Sequence, residues 1–552
     1  LHFDSLAPTP PDLDALKPRA AALRERLATG DVAAVLAEWN ALRAPVWSWL
    51  SWVNLRHRQD TTDAAVSAQK KVRDSIEASW EQEELAVERA LLDLPRPTLE
   101  SAVPAQAIAK WSAAVAAVNP AIRDEREQEN ALVSEYTKLL GGASFEVDGV
   151  THDLTTIGGP ATSGDRSERE RAARAKWGWM AENRGELDRI FDELTVLRDG
   201  MATSLGHQDF VETGYLRMSR VDYGPDDVAR FRAAVREHMV PLGAALRERQ
   251  AASLGVDTVM LWDEGVLEAG GNPSPGPVSG MLDAGRAAFG RLDPRIGSFY
   301  GDMVDDGWID LPARPGKAPG GFCTYLTAEK RPFVFCNATG VQRDARTLVH
   351  EVGHAFQKQA SAGIELPELL HGTSDAAEIH SMALEFLAWP VMDEWFGDQA
   401  ERYRRNHLAG AVLFLPYGLL VDEFQHEVYR APQAGAAARH RAWADLESSW
   451  LPWRDSGDLP HVSEGGFWQQ QRHIYAWPFY YVDYCLAQTV ALQFWALAEN
   501  DRADAMERYV ALCARGGSLP FQALVRTTGL DSPFDDGAVA QVAQTVARAL
   551  NL

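Results

Sequence analysis

The stretch His350-Glu351-Val352-Gly353-His354 constrains this chain more than any other. It lies in a helix-like run from Arg343 to Gln359, where Leu348, Val349, Ala355 and Phe356 fit a buried face. Two histidines four apart on a helix stand one turn above each other on one side. Both imidazoles can then reach a single metal ion. Glu351 sits one residue on, beside that ion, where a carboxylate can take a proton from water. This is the spacing of zinc hydrolases, and it makes a metallopeptidase the leading expectation. Gly353 costs about 1 kcal/mol in a helix relative to Ala, which makes sense where something must approach the backbone closely.

Catalytic zinc usually takes three protein ligands and keeps a fourth position open. A third histidine ten residues after the first is one solution, but Ala360 occupies that position. A glutamate on a later helix is the other, and the segment from Thr373 to Leu387 can supply it. Ser374 reads as its N-cap, and Asp375 suits the first turn. Glu378 and Glu385 lie two turns apart on one face. Glu378 is the choice for third ligand. Glu385 is then the carboxylate that hydrogen-bonds a ligand histidine and fixes its tautomer. Glu365, Glu368, His371, Asp375 and His380 compete for the position. Glu365 and Glu368 flank Pro367 in a loop and read as solvated, and His380 lies off the Glu378 face.

Several blocks carry a family resemblance. Ala377-Glu378-Ile-His-Ser381-Met-Ala-Leu-Glu385 contains Glu-x-x-Ser-x-x-x-Glu and is followed by Trp389-Pro390. Further blocks are Tyr215 to Tyr223, Lys317-Ala-Pro-Gly-Gly-Phe-Cys323, Pro332-Phe-Val-Phe-Cys-Asn337, and His473-Ile-Tyr-Ala-Trp-Pro-Phe-Tyr-Tyr-Val-Asp-Tyr484. In this order, across roughly residues 205–500, they resemble the oligoendopeptidase F and thimet oligopeptidase family of zinc metallopeptidases. The Pz-peptidase-like bacterial members are the most similar. Over residues 1–140 only the helical character matches.

The resemblance implies a mainly α fold: two helical halves enclosing a deep substrate channel, with a small β region beside the zinc helix. It implies one Zn2+ per chain on His350, His354 and Glu378, with Glu351 as general base. His473, Tyr481 and Tyr484 match the family's transition-state groups. Tyr480 adjoins them as a substrate contact, and a one-residue gap would change which tyrosine acts. Composition alone would make this block an aromatic core helix. Residues 1–205 are then a helical region walling the channel, and 206–552 the catalytic region. The expected reaction is hydrolysis of internal bonds in short, unstructured peptides. A zinc carboxypeptidase of related helical fold and a non-catalytic peptide-binding relative are the alternatives.

Apolar content of 46% and charged content of 24% are ordinary for a soluble globular chain. The net charge of −24 argues against nucleic-acid binding, which relies on Lys/Arg contacts to phosphate. Four cysteines without a Cys-x-x-Cys pair read as reduced thiols. The first residues lack a basic segment leading into an apolar core, and the apolar run from Leu408 to Val421 is short for a bilayer. The expectation is a cytoplasmic protein with no membrane partner.

Helical spacing covers Asp12–Leu27, Val32–Ala44 and Thr62–Leu94, and the Trp-rich piece Val46–Trp52 reads as core. Phe145–His152 reads as a hairpin around an Asp-Gly turn. Residues 158–164 and 268–280 read as loops. Phe322–Leu326 and Arg331–Cys336 read as two strands joined by Thr327–Lys330. A strand edge beside the zinc helix could hold an extended peptide by main-chain hydrogen bonds. The Gly320-Gly321 pair would let substrate backbone approach closely.

Overall fold

Helices with Ala-, Leu-, Glu- and Arg-rich sequences build most of this protein, whose computed structural model describes residues 1–27, 31–118 and 120–552. The architecture is mainly α with two small sheets. The first helices are Leu13–Leu27, Val32–Gln59 and Ala64–Leu92. The second runs on through Pro45 and the Trp-rich piece, well past Ala44. Its Asp31 cap accepts from the Ala33 and Ala34 N–H groups at 2.9 and 3.4 Å. Satisfying these orphan donors is what fixes the start of a helix. Trp39, Trp49, Trp80 and Trp111 are all buried in one apolar cluster, so these tryptophans are core.

The Asp-Gly hairpin is present as β1 (Phe145–Val147) and β2 (Val150–His152). Asp148 and Gly149 have φ of 51° and 80°, as a two-residue turn of this hand demands. The second sheet has three strands in the order β3-β5-β4. β4 (Phe322–Leu326) and β5 (Arg331–Ala338) form the anticipated antiparallel pair. β3 (Ile309–Pro312) was not anticipated, because Ile-Asp-Leu-Pro is too short to show a period; it pairs parallel to β5. β4 is therefore an edge strand. β5 is buried over most of its length and packs against the Gln342–Ala360 helix.

Two local expectations need correction. The helix carrying Glu378 spans Ser374–Leu387, so its N-cap is Thr373 rather than Ser374. Thr373 is the residue with non-helical backbone (ψ 162°), and its hydroxyl donates to Asp375. The loop at 158–164 contains a one-turn helix, Gly158–Ala161, tied off by the Thr162 hydroxyl donating to the Gly158 carbonyl at 2.8 Å.

Contacts divide the chain into two compact units, each assembled from three stretches of sequence. One comprises residues 1–115, 274–400 and 490–530; the other comprises 116–273, 401–489 and 531–552. The first holds the tryptophan cluster, the three-stranded sheet and the histidine-motif helix. The second holds the β1–β2 hairpin and the block from His473 to Tyr484. Among the described residues one stretch, Trp389–Arg430, contains a window long and apolar enough to cross a membrane, and 72% of that window is buried, as in a core helix.

Candidate active site

The helix Gln342–Ala360 presents the histidine motif from the first unit. Asp344 fastens its start: Oδ2 accepts from the Thr339, Gly340 and Val341 N–H groups at 2.6, 2.7 and 3.0 Å. The Ser374–Leu387 helix packs closely against it. Gly353 permits this approach. A Cβ there would lie 2.7 Å from the His380 carbonyl oxygen and 2.7 Å from Ser381 Cα. The body that must come close to Gly353 is therefore the second helix. Tyr509 ties the same His380 carbonyl down, donating to it at 3.0 Å.

This packing brings His350, His354 and Glu378 together, with one ligand atom from each lying within 4.8 Å of the others. Glu378 Oε2 is 3.2 Å from His350 Nε2 and 3.5 Å from His354 Nε2. The Ser381 hydroxyl also contacts Glu378 Oε2, at 3.1 Å, and so orients the carboxylate. Glu385 takes the far side of His350, with Oε1 2.7 Å from Nδ1. An imidazole that donates from Nδ1 to a carboxylate leaves Nε2 as a free lone pair, the form a metal requires. The glutamates seven residues apart thus touch opposite edges of one imidazole.

Glu351 is buried on the same helix, and its Oε2 has no hydrogen-bond partner. Burial raises its carboxyl above the ordinary range. Burial opposes the charged form of His350 too, but hydrogen bonds to Glu378 and Glu385 outweigh this and raise the imidazole well above its usual value. Glu378 is the converse: burial works against ionisation, yet the field of His354 and its bond to His350 hold the carboxyl well below normal. A clustered pair of imidazoles with an ionised carboxylate is a site arranged for a cation.

The competing residues go elsewhere. Glu368 is not solvated: Arg43 donates to both its oxygens at 2.6 and 2.9 Å, and Trp111 Nε1 donates at 3.1 Å. Glu365 is exposed. His371 meets Tyr325 edge to face, 5.3 Å between ring centroids. Asp375 is engaged by Thr373 at the helix start. His380 is fully buried, and burial drives its imidazole down to about 3. Gly320 has φ of 102°, a conformation that favours glycine. A Cβ at Gly321 would meet Thr347 Cγ2 at 3.1 Å and Glu351 Oε1 at 3.4 Å. The Asn337 amide pins this loop by donating to the Ala318 and Gly320 carbonyls, both at 2.8 Å.

The second unit carries the aromatic block. His473 stacks on Tyr480 with 5.6 Å between centroids, and meets Tyr481 and Tyr484 edge to face at 5.1 and 5.7 Å. The Gln471 amide nitrogen lies 2.7 Å from His473 Nδ1, and the Tyr417 hydroxyl donates to Gln471 Oε1 at 2.9 Å. An amide donating to Nδ1 places the proton of a neutral imidazole on Nε2. The Tyr481 ring also packs against Phe414 and Tyr417, and burial pushes its phenol well up.

Residues 3–118 match the peptidase M3 N-terminal domain, and residues 297–544 match peptidase family M3. A protein provisionally named oligoendopeptidase F, solved at 3.1 Å, superposes with a TM-score of 0.96 at 40% identity, covering 100% of this chain and 99% of its own. PZ peptidase A with an inhibitor gives 0.96 at 38%, covering 100% and 99%. The chain belongs to peptidase family M3. A second protein provisionally named oligoendopeptidase F, from Bacillus anthracis str. Ames, gives 0.91 at 36%, covering 100% and 98%. No curated protein matches the chain.

Membership makes the chain a metallopeptidase, and the cluster of two histidines and a glutamate is where this M3 peptidase can hold its metal. Four supporting residues escaped the sequence reading. Ser381 and Asn337 sit inside quoted blocks, but nothing in their spacing tells what they hold. Asp344 had a readable signal, an acid three residues into a helix. Tyr417 had none, because its partner Gln471 is far along the chain.

Proposed function

We propose that this M3 peptidase is a zinc-dependent oligopeptidase that cuts internal bonds of short, unstructured peptides, with one zinc per chain held by His350, His354 and Glu378. The observation that carries the reading is the convergence of those three ligand atoms beside Glu351, whose buried Oε2 has no partner. Two imidazoles and one carboxylate are a donor set of catalytic zinc sites. Bound zinc supplies Lewis acidity: it polarises the scissile carbonyl and lowers the pKa of water toward neutrality. Glu351 accepts the proton of the attacking water and delivers it to the leaving amine. Glu385 keeps His350 in the ligating tautomer. Tyr484, helped by Tyr481 or His473, donates hydrogen bonds to the negative charge that grows on the carbonyl oxygen.

Gly320 and Gly321 leave room for substrate backbone, Tyr480 contacts the peptide, and β4, an edge strand of its sheet, pairs with it as an added strand. Residues 206–552 carry the chemistry. The helices within residues 1–205 restrict access, a role supported by the Val32–Gln59 helix packing on β4. The substrates are peptides rather than nucleic acid or membrane, as the charge of −24 supports. The four free cysteines suit the reducing cytoplasm.

The test is incubation with a mixed short-peptide library, with and without chelator, and mass-spectrometric mapping of products. Internal cuts that stop on chelation and return with zinc are expected, while folded proteins stay intact. Absence of cleavage after zinc reconstitution overturns the reading. Removal of C-terminal residues alone would make the enzyme a carboxypeptidase.

A further inference from the structure

We propose that Trp477 is a specificity-determining residue of this peptidase: its indole binds a bulky apolar or aromatic side chain of the substrate peptide. The proposal rests on the oligopeptidase reading above and adds to it the side-chain class that one face of the enzyme selects.

Trp477 is 46% exposed, and it is the one aromatic among the exposed large hydrophobic side chains of the described residues. Leaving an indole in water forgoes a large burial gain, and exposed Trp is a frequent anchor in recognition. Its position is not that of a stray surface residue. The ring lies 5.8 Å from that of His473, which also stacks on Tyr480, while Tyr480 and Tyr484 meet at 5.2 Å. Trp477 thus extends a continuous aromatic wall made of groups assigned above to the substrate.

The segment that presents Trp477 is held rigidly. Trp477 ends the short Arg472–Ala476 helix, its N–H donating to the His473 carbonyl at 2.9 Å, and its own carbonyl accepts from the Tyr480 N–H at 3.1 Å. Two residues on, Phe479 adopts φ of +66° with its ring fully buried. A bulky residue in that region is strained and persists only where the surroundings over-determine it. Here they do. The Phe479 N–H donates to Gln425 Oε1 at 2.9 Å, and its carbonyl accepts from Arg220, which pairs with buried Asp483 at 2.7 Å. Gly214 leaves the space its ring fills, since a Cβ there would lie 2.4 Å from Phe479 Cδ2. A fixed loop that holds an indole in solvent has met its ordering cost before the ligand arrives.

The chemistry of the wall selects the occupant. Aromatic faces attract apolar, aromatic or cationic groups. The carboxylate that follows this loop, Asp483 in the first turn of the Tyr481–Asn500 helix, is buried and neutralised by Arg220. A basic side chain therefore gains no counter-charge from Asp483, and an apolar one needs none.

The experiment uses the full zinc-loaded chain and quenched peptides of equal length that differ at one position, scanned along the peptide, carrying Phe, Leu, Ser or Lys. Wild type is expected to prefer Phe and Leu at one position. Trp477→Ala should lower kcat/KM for those peptides by roughly tenfold, mainly through KM, and bring the Phe/Ser ratio toward one. Trp477→Phe should restore most of the preference. An unchanged Phe/Ser ratio in Trp477→Ala overturns the proposal. So does an equal loss of kcat on every peptide, which would mark a structural role. A wild type that cuts no peptide refutes the oligopeptidase reading itself, a distinguishable result.

Discussion

The metal cluster and the aromatic block are held in place by different means. In the first unit two regular helices do the work: i, i+4 spacing aligns the histidines, and the small Gly353 lets the second helix deliver Glu378. In the second unit the block depends on a strained turn at Phe479 and on a buried Arg220–Asp483 pair, contributed by segments far apart in sequence. The first site follows from periodicity and the second from long-range packing. On the proposed mechanism, substitutions in the two regions should fail differently, one through metal and proton handling, the other through transition-state contacts.

The largest expected effect separates those failures within the first region. Glu351→Gln keeps shape but cannot accept a proton, so turnover should fall by about 10²–10⁴ with zinc content unchanged. Glu378→Ala should lose zinc itself, as read by metal analysis after dialysis. Near-normal turnover in the Gln variant would remove Glu351 as base. The aromatic region should respond next. Tyr484→Phe should lower kcat on the order of 100-fold, with little change in KM or zinc content. Parallel Tyr480→Phe and Tyr481→Phe variants locate the donor. A large loss in a neighbour with none at Tyr484 would move the role by one position.

These regions were also unequally legible. The histidine helix and the β4–β5 hairpin could be read because each repeats with a short period, and Glu378 through the helical face it shares with Glu385. Gly353 could be flagged as costly, yet only the fold shows that His380 and Ser381 lie against it. Glu368 misled: a glutamate beside Pro367 looks solvated, and its bidentate partner Arg43 lies hundreds of residues away. β3 is too short to announce itself, and it pairs parallel with a strand that follows it. In the aromatic block, local pattern permits a plain core helix. What distinguishes it is the positive φ at Phe479, which no periodicity encodes.

Gly353→Ala tests the packing side of the comparison. The added methyl must push the two helices apart, at a cost of about 1–3 kcal/mol for overpacking. Zinc affinity should weaken, because Glu378 moves with its helix, while the aromatic block is untouched. A calorimetric zinc titration reads this. Unchanged zinc affinity with lowered thermal stability would mean that the helices relax without moving the ligands.

The smallest effect is one of sign and contrasts buried acids in the two units. In the first, burial raises the Glu84 carboxyl to about 7 and the Glu88 carboxyl to about 8. The nearby cation is Arg43, and Glu368 already engages both of its terminal nitrogens; Glu81 and Glu368 add negative charge. Trp80 Nε1 donates to Glu84 at 3.1 Å, but Glu88 Oε2 has no partner. A carboxyl whose folded pKa lies above its unfolded value holds its proton longer when folded. Stability it contributes is therefore complete below about 4.5 and is lost as pH rises toward about 8. In the second unit Glu129 is buried too, but Arg198 and Arg217 donate to it at 2.6 and 2.9 Å and hold it below the ordinary range. Its contribution is present at neutral pH and is lost as pH falls through the folded value. Amide-exchange protection, corrected for intrinsic rates, should thus decline from about pH 5 to 8 in the Ala64–Leu92 helix, by on the order of tenfold after allowance for solvent screening. In the Arg123–Gly141 helix it should hold over that range and decline only in acid. Glu84→Gln and Glu88→Gln together should flatten the first profile and leave the second unchanged. Parallel profiles in both helices would show that the difference in arginine pairing does not govern how the two units respond to pH.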